Sequence, residues 1–214
     1  MTKEELLFRT AKIKDADDLL NVAASVDLRK DRLELGDIDR EVGFLRTLWS
    51  QQDKKNLLVE VFKREIRTNC VLIVQREDTT IGFLIYSESS EYLSKETNRQ
   101  LLANIVWFFG TRDIKGILAR KKWVMLNRIC VTRDSLRRGV GRRLVLYFTG
   151  LLKKRACLNL FSFVTVFPVR NEVSLRFHRK IGFKDVGEFS DEFEYSYLGK
   201  RVFIERLLHY GLTE

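Results

Sequence analysis

The order of three features in residues 122–155 constrains the fold more than anything else in the sequence. An apolar, strand-like run ends at Val131, a basic loop carries Gly139 and Gly141, and a helical period follows. The apolar face of that helix is predicted to hold Val140, Leu144, Tyr147, Phe148, Leu151 and Leu152. A strand, a tight loop and a helix in this order indicate part of a layered α/β domain.

The loop Arg137-Arg138-Gly139-Val140-Gly141-Arg142 has the residues that a phosphate-binding turn requires. A helix N-terminus offers backbone N–H groups without acceptors and a partial positive charge. Glycine lets a phosphate approach the backbone, and arginine holds its oxygens by charge-assisted hydrogen bonds. The loop lacks the Gly-Lys-Ser/Thr ending of nucleoside triphosphatases and the third glycine of dinucleotide folds. The alternative is a tight turn with solvated arginines.

The net charge of +10 is concentrated around this loop. Residues 112–155 contain 14 Lys and Arg against 2 Asp and Glu, whereas residues 1–111 contain 17 against 19 and residues 156–214 contain 8 against 8. A localised excess of this kind predicts a polyanionic ligand, either a nucleotide cofactor or a nucleic acid.

The remaining periodicities predict further strands and helices on a mixed sheet. Strands are expected at 6–11, 69–75, 81–87, 161–167, 184–194 and 197–208, and helices at 15–26, within 37–67, at 93–109 and at 173–180. The turn between the second and third strands is expected at 76–80.

The bulk composition favours one ordinary globular domain. A length of 214 residues with 45% hydrophobic residues suffices for one core. The three cysteines, Cys70, Cys130 and Cys157, form no Cys-x-x-Cys pair, so we expect neither a disulfide framework nor a metal site. The apolar runs are shorter than the roughly 20 residues of a membrane span, and the N-terminus lacks a secretory pattern. A cytoplasmic protein without membrane association is therefore expected.

Two segments resemble signatures of the GNAT superfamily of N-acetyltransferases. Residues 131–144 are similar to its acetyl-CoA motif, Gln/Arg-x-x-Gly-x-Gly/Ala, although Leu136 occupies the Gln or Arg position. Residues 171–183 are similar to its second signature, an Asn, a short helix, an aromatic residue or His, and a closing Gly-Phe. The two signatures together are much more specific than either alone.

The resemblance implies a single N-acetyltransferase-like domain over residues 1–214. Its acetyl-CoA core would span 123–189, and a helical insertion would lie at about 27–67. The implied fold is a mixed, mostly antiparallel sheet of six or seven strands with helices on both faces. The implied activity is transfer of an acetyl group from acetyl-CoA to a primary amine by direct attack.

The resemblance also implies roles for individual residues. The main chain of Ile129, Cys130 and Val131 would bind the pantetheine arm, with an N–H near Val131 polarising the carbonyl, so that Cys130 would be a strand residue and not a nucleophile. The loop, Arg137, Arg138, Gly139, Val140, Gly141 and Arg142, would hold the pyrophosphate.

Several polar side chains complete the expected site. Asn171 would bond the pantetheine region or a water, with a helix N-cap as its alternative. His178 stands where many members carry a Tyr acid, so it is a candidate general acid, with core packing as its alternative. Asn127 could orient a water. Glu88 or Glu91 could act as the base, with surface charges as their alternative.

The resemblance leaves the acceptor amine unidentified and a homodimer open. Two other functions remain as alternatives. A catalytically degenerate acyl-CoA sensor would keep the loop and lose the acid and base. A basic nucleic-acid-binding module is less favoured, because it should carry exposed aromatic residues among the basic ones.

Overall fold

The computed structural model describes residues 5–25, 52–68, 70–120, 122–167, 170–195 and 199–212. The strands in these ranges are β1 Leu7–Thr10, β2 Val71–Arg76, β3 Thr79–Glu88, β4 Val106–Trp107, β5 Val124–Val131, β6 Asn159–Phe167, β7 Lys184–Tyr195 and β8 Gly199–Gly211. The α-helices are α1 Ala16–Ser25, α2 Gln52–Arg67, α3 Ser89–Ser94, α4 Glu96–Ala103, α5 Arg112–Ala119, α6 Val140–Lys154 and α7 Glu172–Lys180.

The strands form one sheet in the order β1-β2-β3-β5-β6-β8-β7-β4. The pairings of β1 with β2, β2 with β3, β4 with β7, β6 with β8 and β7 with β8 are antiparallel, and that of β5 with β6 is parallel. The predicted α/β class with a mixed, mostly antiparallel sheet is confirmed. The predicted six or seven strands are corrected to eight.

The added strand is β4, which lies where a helical pattern was predicted. A helix was predicted at 93–109, and α4 covers only residues 96–103 of this range. β4 pairs with β7 through Trp107 and Gly187. A Cβ on Gly187 would lie 2.7 Å from Cγ2 of Ile105 and 2.9 Å from the oxygen of Val106. Glycine thus permits the approach of β4, a long-range contact that helical periodicity does not predict.

Contacts divide the chain into two compact units that interleave in sequence. The first unit comprises residues 1–86 and 128–150, and the second comprises 87–127 and 151–214. The expected single domain over 1–214 stays a prediction, and so does the helical insertion at 27–67. The last part of the predicted insertion forms α2, whereas residues 26–51 lie outside the described residues.

The first unit packs α1 and α2 on β2 and β3. Its core includes Leu19, Leu20, Phe62, Ile73 and Phe83, all almost fully buried. The β2–β3 turn is shorter than predicted, because Glu77 and Asp78 both adopt positive φ values of 46° and 63°. Two such residues form the tight hairpin turn whose twist matches that of paired strands.

The second unit packs α3, α4 and α5 against the strands β5 to β8. Trp123 and Phe161 lie at the centre of this core, with ring centroids 5.8 Å apart. β5 and β6 pair in parallel from Val124–Leu160 to Leu126–Ser162, and both strands continue beyond this pairing. The last two strands, β7 and β8, were predicted as strands, and in the structure they pair antiparallel along most of their length.

Candidate functional site

The basic glycine loop lies in the first unit between β5 and α6. A single 3-10 turn, Arg133–Ser135, follows the strand, and α6 begins at Val140. Ser135 is buried and its N–H donates to the oxygen of Thr132 at 2.9 Å, which fixes the start of the turn. Leu136, at the position that departs from the family motif, is 45% exposed.

The backbone of the loop alternates in the sign of φ. Arg137 and Gly139 have φ values of 62° and 77°, whereas Arg138 between them is not among the residues with positive φ. Such alternation turns successive N–H groups toward a common concavity that suits an anion. A Cβ on Gly139 would meet no atom within 4 Å, so the need for glycine comes from the backbone angle.

The N-terminus of α6 supplies further donors to this loop. The N–H of Arg143 donates to the oxygen of Gly139 at 3.0 Å. The N–H groups of residues 139–142 precede this bond and have no acceptor within the helix. The first turn of α6 contains no acidic residue, and Arg137, Arg138 and Arg142 are exposed beside it. These groups form an electropositive cradle.

The helix α6 is buried largely as predicted, with one correction. Val140, Leu144, Phe148 and Leu152 are at most 2% exposed, whereas Tyr147 is 37% exposed. The Tyr147 ring stacks on Phe8 of β1 with centroids 5.1 Å apart, and the Arg143 guanidinium lies 5.9 Å from the Phe8 centroid.

The strand residues Ile129, Cys130 and Val131 also belong to the first unit. Burial raises the pKa of the Cys130 thiol to about 11, so the thiol is protonated at neutral pH. Just after the strand, the N–H of Thr132 donates to the oxygen of Ile81 at 2.8 Å. A Cβ on Gly82 would lie 2.9 Å from the oxygen of Cys130, so glycine permits the close approach of β3.

Asn127 and Asn171 lie in the second unit and both already hold hydrogen bonds. Nδ2 of Asn127 donates to Oγ of Ser87 at 2.7 Å. Oδ1 of Asn171 accepts the N–H of Ser174 at 3.1 Å, so Asn171 is the N-cap of α7. The cap uses Oδ1 of Asn171. The contact of Asn171 with the cofactor stays a prediction.

His178 lies on α7 and is 2% exposed. Its Nδ1 is 2.8 Å from the backbone oxygen of Ser174, which only a protonated Nδ1 can satisfy, and 3.2 Å from the Ser174 hydroxyl. Nε2 is buried without a hydrogen-bond partner among the described residues, and the rings of Phe177 and Phe183 meet the imidazole edge to face. Burial lowers the pKa of His178, so the ring is neutral at pH 7.

A partly buried carboxylate that the sequence analysis missed, Glu205, lies on β8. Burial raises the pKa of Glu205 to about 7, and a hydrogen bond from Thr165 partly opposes this rise. The candidate base Glu88 instead forms an ion pair with Arg155. The signal was present in the sequence, because Glu205 alternates with Phe203 and Leu207 on one face of a predicted strand.

A cavity of about 500 Å³ lies in the first unit, away from the glycine loop in sequence. Arg9, Asp15, Asp18 and Gln75 line it. Arg9 donates to both carboxylate oxygens of Asp15 at 2.8 and 2.9 Å and to Gln75 at 2.9 Å. Arg9, Asp15 and Gln75 thus satisfy one another and tie β1 to the start of α1, whereas Asp18 accepts the hydroxyl of Thr80 at 3.3 Å. Within the described part of the chain, no helix is long and apolar enough to cross a membrane.

Solved structures share this fold at low sequence identity. A Staphylococcus aureus N-acetyltransferase aligns with a TM-score of 0.57 at 13% identity, over 98% of this chain and 99% of its own. The PaiA N-acetyltransferase of Thermoplasma acidophilum, in complex with coenzyme A, aligns at 0.54 and 15%, over 97% and 99%. The Salmonella typhimurium protein yncA, with its cofactor acetyl-CoA, aligns at 0.54 and 16%, over 98% and 95%.

Sequence comparison gives the family directly. No curated protein matches the chain. The profile of the Acetyltransferase (GNAT) family matches residues 40–183, which is more than half of the chain and includes the glycine loop, Asn171 and His178. The chain belongs to the GNAT family and is an acetyltransferase.

Proposed function

We propose that this protein transfers an acetyl group from acetyl-CoA to the nitrogen of a primary amine by direct attack. The observation that carries the proposal is the loop at residues 137–142, where alternating φ and the free N–H groups of α6 form an anion cradle among arginines. The Thermoplasma and Salmonella structures with the same fold contain coenzyme A and acetyl-CoA.

In this proposal the first unit binds the donor. The N–H groups of Gly139, Val140, Gly141 and Arg142 receive the pyrophosphate, and the guanidinium groups of Arg137, Arg138 and Arg142 neutralise its charge. The main chain of Ile129, Cys130 and Val131 pairs with the pantetheine arm, and the N–H near Val131 polarises the thioester carbonyl. The parallel pairing of β5 with β6 extends only to Leu126. This short pairing supports a role of residues 129–131 in binding the pantetheine arm.

The proposed reaction is a single acyl transfer. The neutral amine attacks the thioester carbonyl, a C–N bond forms, and the C–S bond breaks with departure of the CoA thiolate. One proton must leave the ammonium before attack, and one must reach the thiolate. Cys130, whose thiol is buried and protonated, takes no part in this chemistry.

The polar side chains of the second unit are proposed to assist. Nδ2 of Asn171 remains for a donor bond to the cofactor or a water, and Asn127 can orient a water through the amide that Ser87 holds. His178 remains the candidate general acid, with core packing as its alternative. Because Nδ1 carries the proton of the neutral ring, donation from Nε2 would require the imidazolium that burial disfavours. We therefore expect any catalytic effect of His178 to be small.

The glycine loop offers a matched test. Gly139 directly precedes α6, and Gly150 lies within it. A Cβ at either position would meet no atom within 4 Å, but of these two glycines only Gly139 has a positive φ. Left-handed backbone costs an L-residue about 1–2 kcal/mol. Calorimetry should show that Gly139→Ala weakens acetyl-CoA binding about tenfold or more. Gly150→Ala should leave it unchanged.

Binding of acetyl-CoA to the wild-type chain is the primary result. Absence of heat with both acetyl-CoA and CoA would overturn the proposal. Binding without turnover on any amine would instead favour the degenerate sensor. Salt-dependent retention of RNA without acetyl-CoA binding would favour the nucleic-acid alternative.

A further inference from the structure

An aromatic pair lies at the surface of the first unit, on the helix that begins at the anion cradle. The ring of Tyr147 on α6 stacks on that of Phe8 on β1, with centroids 5.1 Å apart and an interplanar angle of 20°. The guanidinium of Arg143 lies 5.9 Å from the Phe8 centroid, within the range of a cation–π contact. We call these three side chains, Phe8, Arg143 and Tyr147, the Tyr147 cluster.

Much of this cluster is open to solvent. Phe8 covers one face of the Tyr147 ring, and Tyr147 is still 37% exposed, so the other side of the ring is accessible. The adjacent Leu146 is 55% exposed, and Arg143 is exposed as well. Aromatic and apolar side chains grouped beside a basic one are typical of surfaces that a ligand covers.

The Tyr147 cluster and the anion cradle lie along one side of the same helix. Val140, Arg143 and Tyr147 follow one another at i, i+3 and i+7, the spacing that aligns helical residues along one face. A helix rises about 1.5 Å per residue, so the Cα of Tyr147 lies about 10 Å beyond that of Val140. Helical side chains lean toward the N-terminus, which brings the Tyr147 ring back toward the cradle. A ligand with phosphates in the cradle can therefore reach this ring with its next group.

A nucleotide has the chemistry that fits this arrangement. A base stacks on an aromatic ring through its flat π face, and a phosphate on the ribose pairs with a guanidinium. Phe8 already orients the Tyr147 ring, so little conformational freedom is lost when a base extends the stack. The cluster offers one free ring face, which suits a single base, whereas a nucleic-acid strand stacks successive bases on several rings.

We propose that the Tyr147 cluster is the adenosine subsite of acetyl-CoA, in which the adenine stacks on Tyr147 and Arg143 binds the phosphate on the ribose. This inference rests on the proposed use of acetyl-CoA and adds a second anchor for the cofactor outside residues 137–142. The subsite takes no part in the transfer of the acetyl group. It makes the protein select intact acetyl-CoA over shorter carriers of the same thioester.

Calorimetry with two donors tests the contact with the base. Acetyl-CoA and acetylphosphopantetheine share the thioester and the pantetheine arm, but only acetyl-CoA carries adenosine. Tyr147→Leu should weaken acetyl-CoA binding by about tenfold, a usual effect of losing one stacked base. Its affinity for acetylphosphopantetheine should equal that of the wild type, which also shows that the variant is folded.

Tyr147→Phe keeps the ring and is the matched control, so its affinity for acetyl-CoA should stay within about twofold of the wild type. Two results would overturn the subsite. One is wild-type affinity of Tyr147→Leu for acetyl-CoA, and the other is an equal loss of affinity for both donors.

A third donor tests the role of Arg143. Acetyl-dephospho-CoA lacks only the phosphate on the ribose. The wild type should bind acetyl-CoA about tenfold more tightly than this donor, and Arg143→Met should reduce the preference to less than about twofold, because a charge-assisted contact is lost. Arg64→Met, at an exposed position of α2, removes the same charge and should keep the full preference. A full preference in Arg143→Met would overturn the role of Arg143.

Turnover separates cofactor binding from the packing of α6. In a thiol-release assay with a primary amine that the wild type acetylates, Tyr147→Leu should raise KM for acetyl-CoA by about tenfold and leave kcat within about twofold. The reason is that the base contact is equally strong before and during acyl transfer. A loss of kcat at unchanged KM would overturn the subsite.

The proposed function and the adenosine subsite fail in different ways. If the wild type binds neither acetyl-CoA nor CoA, the proposed function itself is overturned. If the wild type binds acetyl-CoA and Tyr147→Leu binds it equally well, only the subsite is overturned. If Tyr147→Leu instead loses affinity for poly(A) and keeps its affinity for acetyl-CoA, the cluster is a nucleic-acid surface and the subsite is again overturned.

Discussion

The glycine loop and the Glu205 cluster, which consists of Glu205, Thr165 and Tyr92, are organised in opposite ways. In the loop, neighbouring residues do the work, because the angles of Arg137 and Gly139 and the start of α6 place the donors. The Glu205 cluster takes its residues from β8, β6 and α3, which are far apart in sequence. A site built from neighbouring residues and a cluster built from distant residues can therefore change independently.

The largest effect that should sharpen this contrast is the pH dependence of stability at Glu205. Its pKa is about 7 in the folded protein against 4.5 when exposed, so wild-type stability should fall as pH rises between these values. Glu205→Gln lacks this loss. From about pH 4.5 to about pH 8, the unfolding free energy of the variant should gain about 3 kcal/mol on the wild type.

Urea denaturation across this pH range measures the effect. Glu192→Gln is the control, since Glu192 lies at an exposed position of β7. A pH-independent difference between Glu205→Gln and wild type would show that the carboxylate is not held in a desolvated site.

A second, smaller effect concerns Asn171, which lies in the second unit and was identified from the local signature at 171–183. Asn171→Ala should cost about 1 kcal/mol of unfolding free energy, because the Ser174 N–H loses its cap. Asn171→Asp keeps an acceptor at this position and should retain stability, while it removes Nδ2. Weaker acetyl-CoA binding by Asn171→Asp, measured by calorimetry at full stability, is expected if Nδ2 contacts the cofactor.

If Asn171→Asp binds acetyl-CoA as tightly as the wild type, Asn171 is a structural cap alone. The comparison would then be sharper, since every proposed contact with acetyl-CoA would lie in the first unit.

The same division explains what the sequence predicted well. The strand, loop and helix at 122–155 and the segment 171–183 were located within one or two residues, because each has its own periodicity and caps. The mixed sheet followed from the order of these elements and from the family resemblance. Local patterns of this kind require no knowledge of what packs against them.

The features that were missed depend on distant partners. The strand β4 exists because Gly187 leaves room for it, and its two residues sit next to a helical pattern. Tyr147 follows the helical period of α6, yet it stacks on Phe8 at the surface. Glu205 became notable only when the register placed it among Thr165, Phe189 and the apolar core.

His178 gives the smallest expected effect and joins the two kinds of organisation, since a local signature identifies it but distant packing sets its chemistry. Its Nε2 is buried without a described partner, and an unmet polar group of this kind costs about 1–3 kcal/mol. His178→Leu removes that atom and keeps an apolar side chain between Phe177 and Phe183. It also gives up the contact with Ser174, so the stability gained by removing Nε2 and the stability lost with this contact should nearly cancel.

We therefore expect His178→Leu to change the unfolding free energy by at most about 1 kcal/mol and turnover by less than about threefold. Thermal unfolding and the thiol-release assay measure both. A fall in turnover of about 10²-fold at unchanged acetyl-CoA affinity would instead establish His178 as the acid. Catalysis would then depend on a residue that the local signature had already identified, and the contrast between the two regions would weaken.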